Sequence, residues 1–395
     1  MDLPKASAAG IISTAQSIVS QPSLNQFAAQ GKAAVSTVRK EIITAFKTPT
    51  EAALACLVPV DSGSEDASVQ MYLPFATRDF TDFTCSTVHA VNMGRIFTGS
   101  EKLDPSFLRN PIAYHGRASS LVVSGTPVRR PQGTQWNRLT GEFHFGPSKM
   151  LDFEVEMVST LSISGHFGAL SLLTTASAFV CQGYIISQPS GQGERINVKD
   201  AKDHIFGIVM VNDWSARDHQ PLEMNILGPF NSKNFATSVS PWVVTLEALE
   251  PFTVPGPVAN DMIAPHLTDD SGKSYGTWFD VQIEASVNGT VVSNPNLQYM
   301  QYSPEQMVAH HSLGGCPMSV GDLLATGTVS SSQDNVGCLC EKTNGGKNSF
   351  EVSGGETRLY LQDGDTVKFN ARAGGEGSGV GWGDLEGTIL EALPL

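Results

Sequence analysis

Residues 212–218 have the sequence Asn-Asp-Trp-Ser-Ala-Arg-Asp, and the fold and site are best inferred outward from this stretch. It follows the apolar run 205–211, which predicts a buried strand. A strand that ends in Asp213 and then presents Arg217 places a carboxylate and a guanidinium at the rim of a sheet. Loops at strand ends often carry binding and catalytic residues. This rim is therefore the first candidate for a functional site.

A second stretch, residues 151–157, alternates apolar and acidic residues with a period of two, which predicts a strand. Its three acidic residues would share one face, spaced roughly 7 Å apart. Such a face can simply be solvated. However, three like charges in line with no basic residue between them also suit a bound cation. Glu154 and Glu156, with Asp82 and Asp213, would form an all-oxygen site that fits Mg2+ or Ca2+ and not zinc.

The composition limits the classes of protein that the chain can belong to. Its 395 residues suffice for one large domain or two ordinary ones. A net charge of −14 argues against a nucleic-acid partner or an anionic membrane surface. The 38 glycines and 22 prolines among short apolar runs predict a β-rich, loop-rich body. The six cysteines form no zinc or redox motif and no signal peptide opens the chain, so we expect reduced thiols and a cytoplasmic location.

The first 70 residues differ in pattern from the rest. Apolar residues recur at helical spacing over 23–47, a second short helix is expected after Thr50, and 61–67 has the composition of a linker. From Met71 onward, short strands broken by glycine and proline are predicted. The clearest predicted strands cover 278–292, 318–329 and 357–370.

Several blocks of the chain resemble the fumarylacetoacetate hydrolase family, and they occur in the expected order over most of residues 71–395. The matching blocks are Asp79–Phe83, Tyr114–Ser120, Val123–Pro131, Leu151–Met157, His204–Gly207, Asn212–Asp218, Leu227–Lys233, Ser240–Val244 and Gly321–Thr328. The resemblance implies a mixed α+β, mainly β catalytic domain over 71–395, of the β-roll or sandwich type, preceded by the helical segment 1–70. The chain departs from the family at its start: about 70 residues with helical spacing precede the catalytic domain, so we expect most of the family's small N-terminal domain to be absent.

The resemblance further implies roles for particular residues. It implies a metal held by Asp82, Glu154, Glu156 and Asp213, with Lys233 and Thr237 beside them. It implies His89 as the base that activates water, oriented by Glu341. It implies Arg217, Gln220 and Lys233 as groups that stabilise an oxyanion. His115 and Arg117 are expected only to brace the loop that carries Tyr114.

The substrate contacts depart from the family pattern. Tyr114 remains, and Thr328 is expected at the substrate. Thr84 and Met224 stand where the family has tyrosines, and Thr98 stands where it has an arginine. Charge-assisted hydrogen bonds contribute roughly 1.5–3 kcal/mol each, so these changes should weaken binding of a dianion. We therefore expect fumarylacetoacetate to be a poor substrate and the pocket to prefer a larger or less charged diketone, such as a natural-product intermediate.

An insertion of about 25 residues, 158–182, is expected to interrupt the strand just after Glu156. Its ends could be encoded by codons typical of intron boundaries, so one hypothesis is a retained intron translated in frame. The alternative is a genuine surface hairpin or lid over the pocket. Under the first hypothesis, joining Met157 to Gly183 would restore a continuous strand.

The resemblance, together with the acidic cluster, implies a metal-dependent hydrolase that cleaves a carbon–carbon bond in a 1,3-dicarbonyl substrate. Two alternatives stay open. One is a decarboxylase, tautomerase or cyclase that uses the same metal-bound enolate without water attack, and the other is an inactive binding or scaffold protein. A homodimer is implied by the resemblance alone, with no nucleic-acid or membrane partner.

Overall fold

The structure is a computed structural model, and it describes residues 1–58, 70–136, 140–161, 189–224, 227–257, 262–375 and 377–395, with the side chains of 158–161 left out. The predicted linker 61–67 and most of the insertion 158–182 lie outside the described residues. Within the described part, no helix has the length and apolar character needed to span a membrane.

Short strands dominate the described part of the chain, which is α+β and mainly β, as predicted. The helices are α1 (Leu3–Ala8), α2 (Gln16–Val19), α3 (Asn25–Ala28), α4 (Lys32–Lys47), α5 (Glu51–Leu54), α6 (Thr87–Thr98), α7 (Pro105–Arg109), α8 (Leu246–Leu249), α9 (Pro304–Ser312) and α10 (Leu339–Lys342). The strands are β1 (Phe80–Thr84), β2 (Ile112–Gly116), β3 (Leu121–Val123), β4 (Val128–Arg129), β5 (Gln132–Trp136), β6 (Phe143–Pro147), β7 (Leu151–Asp152), β8 (Val155–Leu161), β9 (Ile205–Asp213), β10 (Ser215–Ala216), β11 (Thr237–Val239), β12 (Val244–Thr245), β13 (Thr253–Val254), β14 (Trp278–Phe279), β15 (Gln282–Val287), β16 (Thr290–Ser293), β17 (Leu323–Ala325), β18 (Phe350–Glu351), β19 (Thr357–Arg358), β20 (Thr366–Ala373) and β21 (Val380–Leu390). Short 3-10 helices include Ala201–His204 and Gln220–Leu222.

Two larger sheets carry the described architecture. One has the order β2-β1-β17-β8-β9-β11-β3, with β12 paired to β9. The other has the order β16-β15-β20-β21-β4. Most neighbours are antiparallel, but β1 and β17 run parallel, as do β11 and β3, and β21 and β4. The candidate ligands come from adjacent or neighbouring strands of the first sheet, which explains how residues far apart in sequence meet.

The predicted strand 205–211 is confirmed as part of β9, and all nine residues of β9 are buried. Its side chains alternate between two cores. Ile208 and Met210 pack with the second sheet, and Val209 and Val211 pack under the N-terminal helices. A strand covered on both faces has no solvated side, so its sequence is apolar throughout instead of alternating.

The N-terminal helices supply that second cover, and the helix predicted over 23–47 is confirmed as α3 and α4. They are separated at Gly31, whose φ of 84° is a conformation that glycine adopts easily. The short helix predicted after Thr50 is α5, capped by the Thr50 hydroxyl, which accepts from the Ala53 N–H. The segment therefore packs on the sheet and is part of the same folded body.

Two details of the metal-ligand strand differ from the prediction. The alternating stretch is not one continuous strand, because β7 ends at Asp152 and Glu154 makes an isolated bridge to Cys338. The strand also does not stop just after Glu156, since β8 continues to Leu161, and Val158 pairs with Val209. Val158, Ser159 and Leu161, within the first four residues of the expected insertion, thus have strand partners on β9, and Val158 and Ser159 also pair with β17.

Candidate active site

Four buried carboxylates meet at one edge of the first sheet. Asp82 lies on β1, Glu154 precedes β8, Glu156 lies on β8, and Asp213 ends β9. They offer ligand atoms that all lie within 4.8 Å of one another, and none is more than 4% exposed. The sequence-predicted ligand set is thus brought together, and the alternative of a solvated acidic face is excluded.

Three donors surround Asp213. The Lys233 ammonium donates to Asp213 Oδ2 at 2.7 Å and also to Glu154 Oε2. The Thr237 hydroxyl donates to Asp213 Oδ1 at 2.6 Å, and the Tyr114 hydroxyl donates to Oδ2 at 3.0 Å. Lys233 and Thr237, expected with the metal ligands, therefore lie in the cluster and donate to one of its carboxylates, and their part in metal binding stays a prediction.

The charges in this cluster shift its pKa values in opposite directions. Burial alone would raise the pKa of Glu154. The positive charges of Lys233 and Arg217 outweigh burial, so the pKa of Glu154 lies below its ordinary value. Burial tends to lower the pKa of Lys233, yet the surrounding carboxylates raise it above its ordinary value, so it stays cationic. Burial and the neighbouring carboxylates raise the pKa values of Asp82 and Glu156 well above their ordinary range.

The residues fit a hard divalent cation. Asp82 Oδ1 and both carboxylate oxygens of Glu156 are buried without a hydrogen-bond partner in the described part of the chain. Buried carboxylate oxygens normally have partners, because an unpaired buried charge is costly. Several carboxylate oxygens converging on one point are the donors that Mg2+ or Ca2+ takes. Burial first, and then repulsion between the carboxylates, raises the pKa values of Asp82 and Glu156, and a cation would relieve that repulsion.

A histidine–carboxylate pair lies on two further elements. His89 is in the first turn of α6, where its backbone N–H donates to the Ser86 hydroxyl at 3.1 Å. Its Nδ1 lies 2.8 Å from Glu341 Oε2 on α10. The Asn92 amide and the Ser330 hydroxyl also donate to Glu341, at 2.9 and 2.8 Å. With Nδ1–H donated to Glu341, the His89 Nε2 lone pair is free to accept a proton.

Asp152 links this pair to the guanidinium of Arg217. Its carboxylate is fully buried and accepts from Arg217 Nε at 2.8 Å. It also accepts from the N–H groups of Leu339 at 2.7 Å and Cys340 at 2.9 Å, which open the helix that carries Glu341. The N–H groups at the N-terminus of a helix lack partners within the helix. The Asp152 carboxylate, which lies on β7, therefore caps the N-terminus of α10.

Arg217 is buried and faces the carboxylates of both Asp152 and Glu154. Its Nη2 lies 2.7 Å from Glu154 Oε1 as an ion pair without hydrogen-bond alignment. Its Nη1 donates to Gln220 Oε1 at 3.3 Å. Because the Gln220 oxygen is used by Arg217, the amide NH2 of Gln220 is the group left to donate elsewhere. These positions agree with the expected oxyanion role, which stays a prediction.

The expected substrate residues are brought together only in part. Gly327 has φ of 72°, and a Cβ there would lie 1.9 Å from the Phe83 oxygen and 3.0 Å from the Thr84 Cα. This close approach places Thr328 beside Thr84, and the buried Thr328 hydroxyl has no hydrogen-bond partner among the residues that the structure describes. Thr98 and Met224 are exposed, and the Thr98 hydroxyl donates to Gly94 in its own helix.

Sequence reasoning missed three contributors to this site. Asp152 belonged to the acidic alternation but was assigned no role, and Asn92 and Cys338 were not singled out. The Cys338 thiol lies 3.2 Å from Glu341 Oε2. The spacing of Asn92 from His89 along one helix is a weak local signal. Nothing local could pair Asp152 or Cys338 with partners from other elements.

Comparison with known proteins identifies the family. Residues 183–389 match the family described as fumarylacetoacetate (FAA) hydrolase C-terminal, and residues 1–74 match the one described as fumarylacetoacetase N-terminal. A fumarylacetoacetase of Aspergillus fumigatus is 39% identical over 400 residues, covering 96% of this chain and 85% of that protein. A human fumarylacetoacetase is 35% identical over 398 residues, covering 97% of this chain and 87% of that protein. The chain belongs to the fumarylacetoacetate hydrolase family, which confirms the resemblance.

Solved structures are also similar to this chain. One is a fumarylacetoacetate hydrolase from psychrophilic Exiguobacterium antarcticum, with 18% identity, a TM-score of 0.46, and coverage of 85% of this chain and 84% of that one.

Proposed function

We propose that the protein is a divalent-metal-dependent hydrolase that cleaves a carbon–carbon bond in a 1,3-dicarbonyl compound. Family membership supports a hydrolase or a related carbon–carbon-cleaving enzyme. One observation carries the finer proposal. Carboxylate oxygens of Asp82 and Glu156 that lack a hydrogen-bond partner within the described segments lie in the same site as an oriented His89–Glu341 pair. Mg2+ and Ca2+ both suit this donor set.

The residues of this chain divide the work of hydrolysis. A cation held by the four carboxylates would supply positive charge for the two carbonyl oxygens of the substrate and for the enolate that leaves. His89 Nε2 takes the proton from the attacking water while Glu341 holds Nδ1–H and stabilises the imidazolium that forms. Such general base catalysis contributes about 10²–10⁴-fold.

The oxyanion formed by water attack needs donors in a site of low dielectric constant. Arg217 and Lys233 are buried cations, and the Gln220 amide is fixed by its contact with Arg217. Removal of one such donor typically costs about 10²–10³ in rate. Arg217 and Lys233 also neutralise Glu154, so their substitution will affect the metal site as well as the oxyanion.

Fumarylacetoacetate is the substrate named for the relatives, and we propose that it is a poor substrate here. The exposed Thr98 and Met224 offer neither a cation nor a phenol to its carboxylates. Arg95, on the helix of Thr98, already has partners of its own: its guanidinium donates to Asn92 Oδ1 at 3.1 Å and lies 3.7 Å from the carboxylate of Glu101. A less charged diketone therefore suits these positions better. A cytoplasmic location stays a prediction.

The test is a screen of acylpyruvates, β-diketones and fumarylacetoacetate with Mg2+ or Ca2+ present, using purified protein. We expect turnover of at least one diketone, faster than that of fumarylacetoacetate, and its loss in His89→Ala and Glu341→Ala. The exposed His144→Ala variant is the control. The activity of a decarboxylase, tautomerase or cyclase that works through the enolate without water attack would persist in the Glu341→Ala variant. No turnover of any compound would favour a binding or scaffold protein.

A further inference from the structure

We propose that His89, Cys338 and Glu341 form a second, inhibitory site for a thiophilic divalent cation such as Zn2+ or Cd2+. The three side chains offer ligand atoms within 4.8 Å of one another, and all three residues are buried. This group is distinct in chemistry from the four-carboxylate cluster, because it offers a sulfur, a nitrogen and an oxygen. Soft thiolate and imidazole ligands select zinc-like ions, whereas carboxylates alone suit Mg2+ or Ca2+.

The distances are close to those that a tetrahedral ion needs. His89 Nδ1 lies 2.8 Å and Cys338 Sγ lies 3.2 Å from Glu341 Oε2. With bond lengths of about 2.0–2.3 Å, a tetrahedral zinc site separates its nitrogen and oxygen ligands by about 3.3 Å and its sulfur and oxygen ligands by about 3.6 Å. Each separation must therefore grow by only a few tenths of an ångström.

The neighbouring contacts would support such a site. The Asn92 amide holds the other oxygen of Glu341 at 2.9 Å, which keeps the carboxylate in position. The Ser330 hydroxyl donates to Glu341 Oε2 at 2.8 Å and holds the ligand oxygen itself. Three protein ligands with one further position are an arrangement that zinc commonly takes.

A bound ion would prevent His89 from acting as a base, because it would change which ring nitrogen carries the proton. In the structure Nδ1 faces Glu341 as a donor, which leaves Nε2 to accept a proton from water. An ion bound at Nδ1 takes the lone pair of that nitrogen, so the single proton of the neutral ring must lie on Nε2. The thiol proton of Cys338 leaves to solvent. His89 would then be a donor at the position where catalysis needs an acceptor.

The binding part of this inference is independent of the proposed function, and the inhibition part depends on it. Binding is measured by the thiolate-to-cadmium charge-transfer band on Cd2+ titration, with Mg2+ in excess to fill the carboxylate cluster. All proteins carry Cys316→Ser, since that thiol is exposed. We expect a saturable band that Cys338→Ser removes. Cys340→Ser, which alters a buried thiol two residues away, should retain the band.

Inhibition is measured on the diketone turned over in the screen, at saturating Mg2+. We expect Zn2+ to inhibit turnover. The Cys338→Ser variant should need at least tenfold more Zn2+ for the same fractional loss of activity. Cys338→Ala is the second variant if the serine variant does not fold. An unchanged cadmium band in Cys338→Ser would overturn the site. The inhibitory role of this site would be overturned if excess Mg2+ relieved the inhibition by Zn2+ and Cys338→Ser did not weaken it.

Discussion

The Glu341 carboxylate shows how individual residues assemble the site. It accepts from His89, Asn92, Ser330 and Cys338. Burial would raise its pKa, yet His89, Asn92 and Ser330 lower the pKa below its ordinary value. A carboxylate with this many donors is held in one orientation and stays charged at neutral pH. It can therefore fix the ring of His89 and stabilise the imidazolium that forms during proton transfer.

Asp152 provides a prediction about positioning at this scale. Asp152→Asn should lower kcat about 10- to 100-fold, the range found when a supporting partner of a site residue is removed. KM should change little, because the carboxylate touches Arg217 and the helix of Glu341 and not the substrate. Steady-state kinetics on the folded variant measures this effect. Asp365→Asn removes another buried aspartate, paired with Arg358 at 3.0 Å, and should lower stability without lowering kcat.

Retention of wild-type kcat in Asp152→Asn would contradict the positioning role. Breaking a buried ion pair costs about 3–5 kcal/mol, so both variants are expected to be less stable. Unfolding in urea should therefore be measured alongside the kinetics.

His204 predicts a pH dependence of stability. Burial lowers its pKa to about 4, from an ordinary 6.5. Between these values the unfolded chain binds a proton that the folded protein does not, so the contribution of this residue to stability falls as pH drops from 6.5 toward 4. One such proton changes the unfolding free energy by at most about 1.4 kcal/mol per pH unit.

His204→Gln should therefore flatten the dependence of the unfolding free energy on pH between 6.5 and 4.5. Urea unfolding at several pH values measures it, and exposed His144→Gln serves as the control. An unchanged slope in His204→Gln would show that this ring is not held neutral.

At the scale of elements, sequence reasoning found strands more reliably than their ends. The apolar run of β9 and the helical spacing over α3 and α4 are strong periodic signals. The family blocks contain the four carboxylates, and the resemblance implied His89. The gap between β7 and β8 and the continuation of β8 to Leu161 could not be predicted. They depend on backbone partners from β9, β10, β17 and the Cys338 loop, which are distant in sequence.

The insertion 158–182 gives a prediction for one element. Its deletion removes the β8 pairs of Val158, Ser159 and Leu161. Under the retained-intron hypothesis, the sequence Gly183-Tyr-Ile-Ile would follow Met157 and take their place in the strand. Under the retained-intron hypothesis, the deletion variant should match the full chain in stability and keep its activity. Thermal unfolding and diketone turnover test this together. A folded but inactive variant would support a lid, and failure to fold would show that the segment is needed for the sheet.

At the scale of the whole molecule, the hairpin of β5 and β6 presents aromatic side chains to solvent. Phe143 is 66% exposed and Phe145 is 55% exposed, and Trp136 stacks on Phe143 with ring centroids 6.3 Å apart. Exposed apolar patches commonly mark protein–protein contacts. We propose that this face contributes to the homodimer that the family resemblance implies.

Light scattering should then show a species twice the 42.1 kDa chain mass. The double variant Phe143→Glu and Phe145→Glu should shift it to the monomer, because two charges would be buried in the interface. His144→Glu, whose side chain projects from the opposite face of the hairpin, is the matched control. A wild-type monomer, or an unchanged dimer in the double variant, would contradict this assignment.

Calorimetric titration with Mg2+ and Ca2+ tests the central claim most directly, since it needs no substrate. The four-carboxylate cluster predicts one bound ion per chain in the wild type and none in Glu156→Gln at the same concentrations. Asp322→Asn also alters a buried carboxylate, one whose pKa burial raises to about 7, but it lies outside the cluster and should bind like the wild type. Absence of binding in the wild type, or equal binding by Glu156→Gln, would contradict the account.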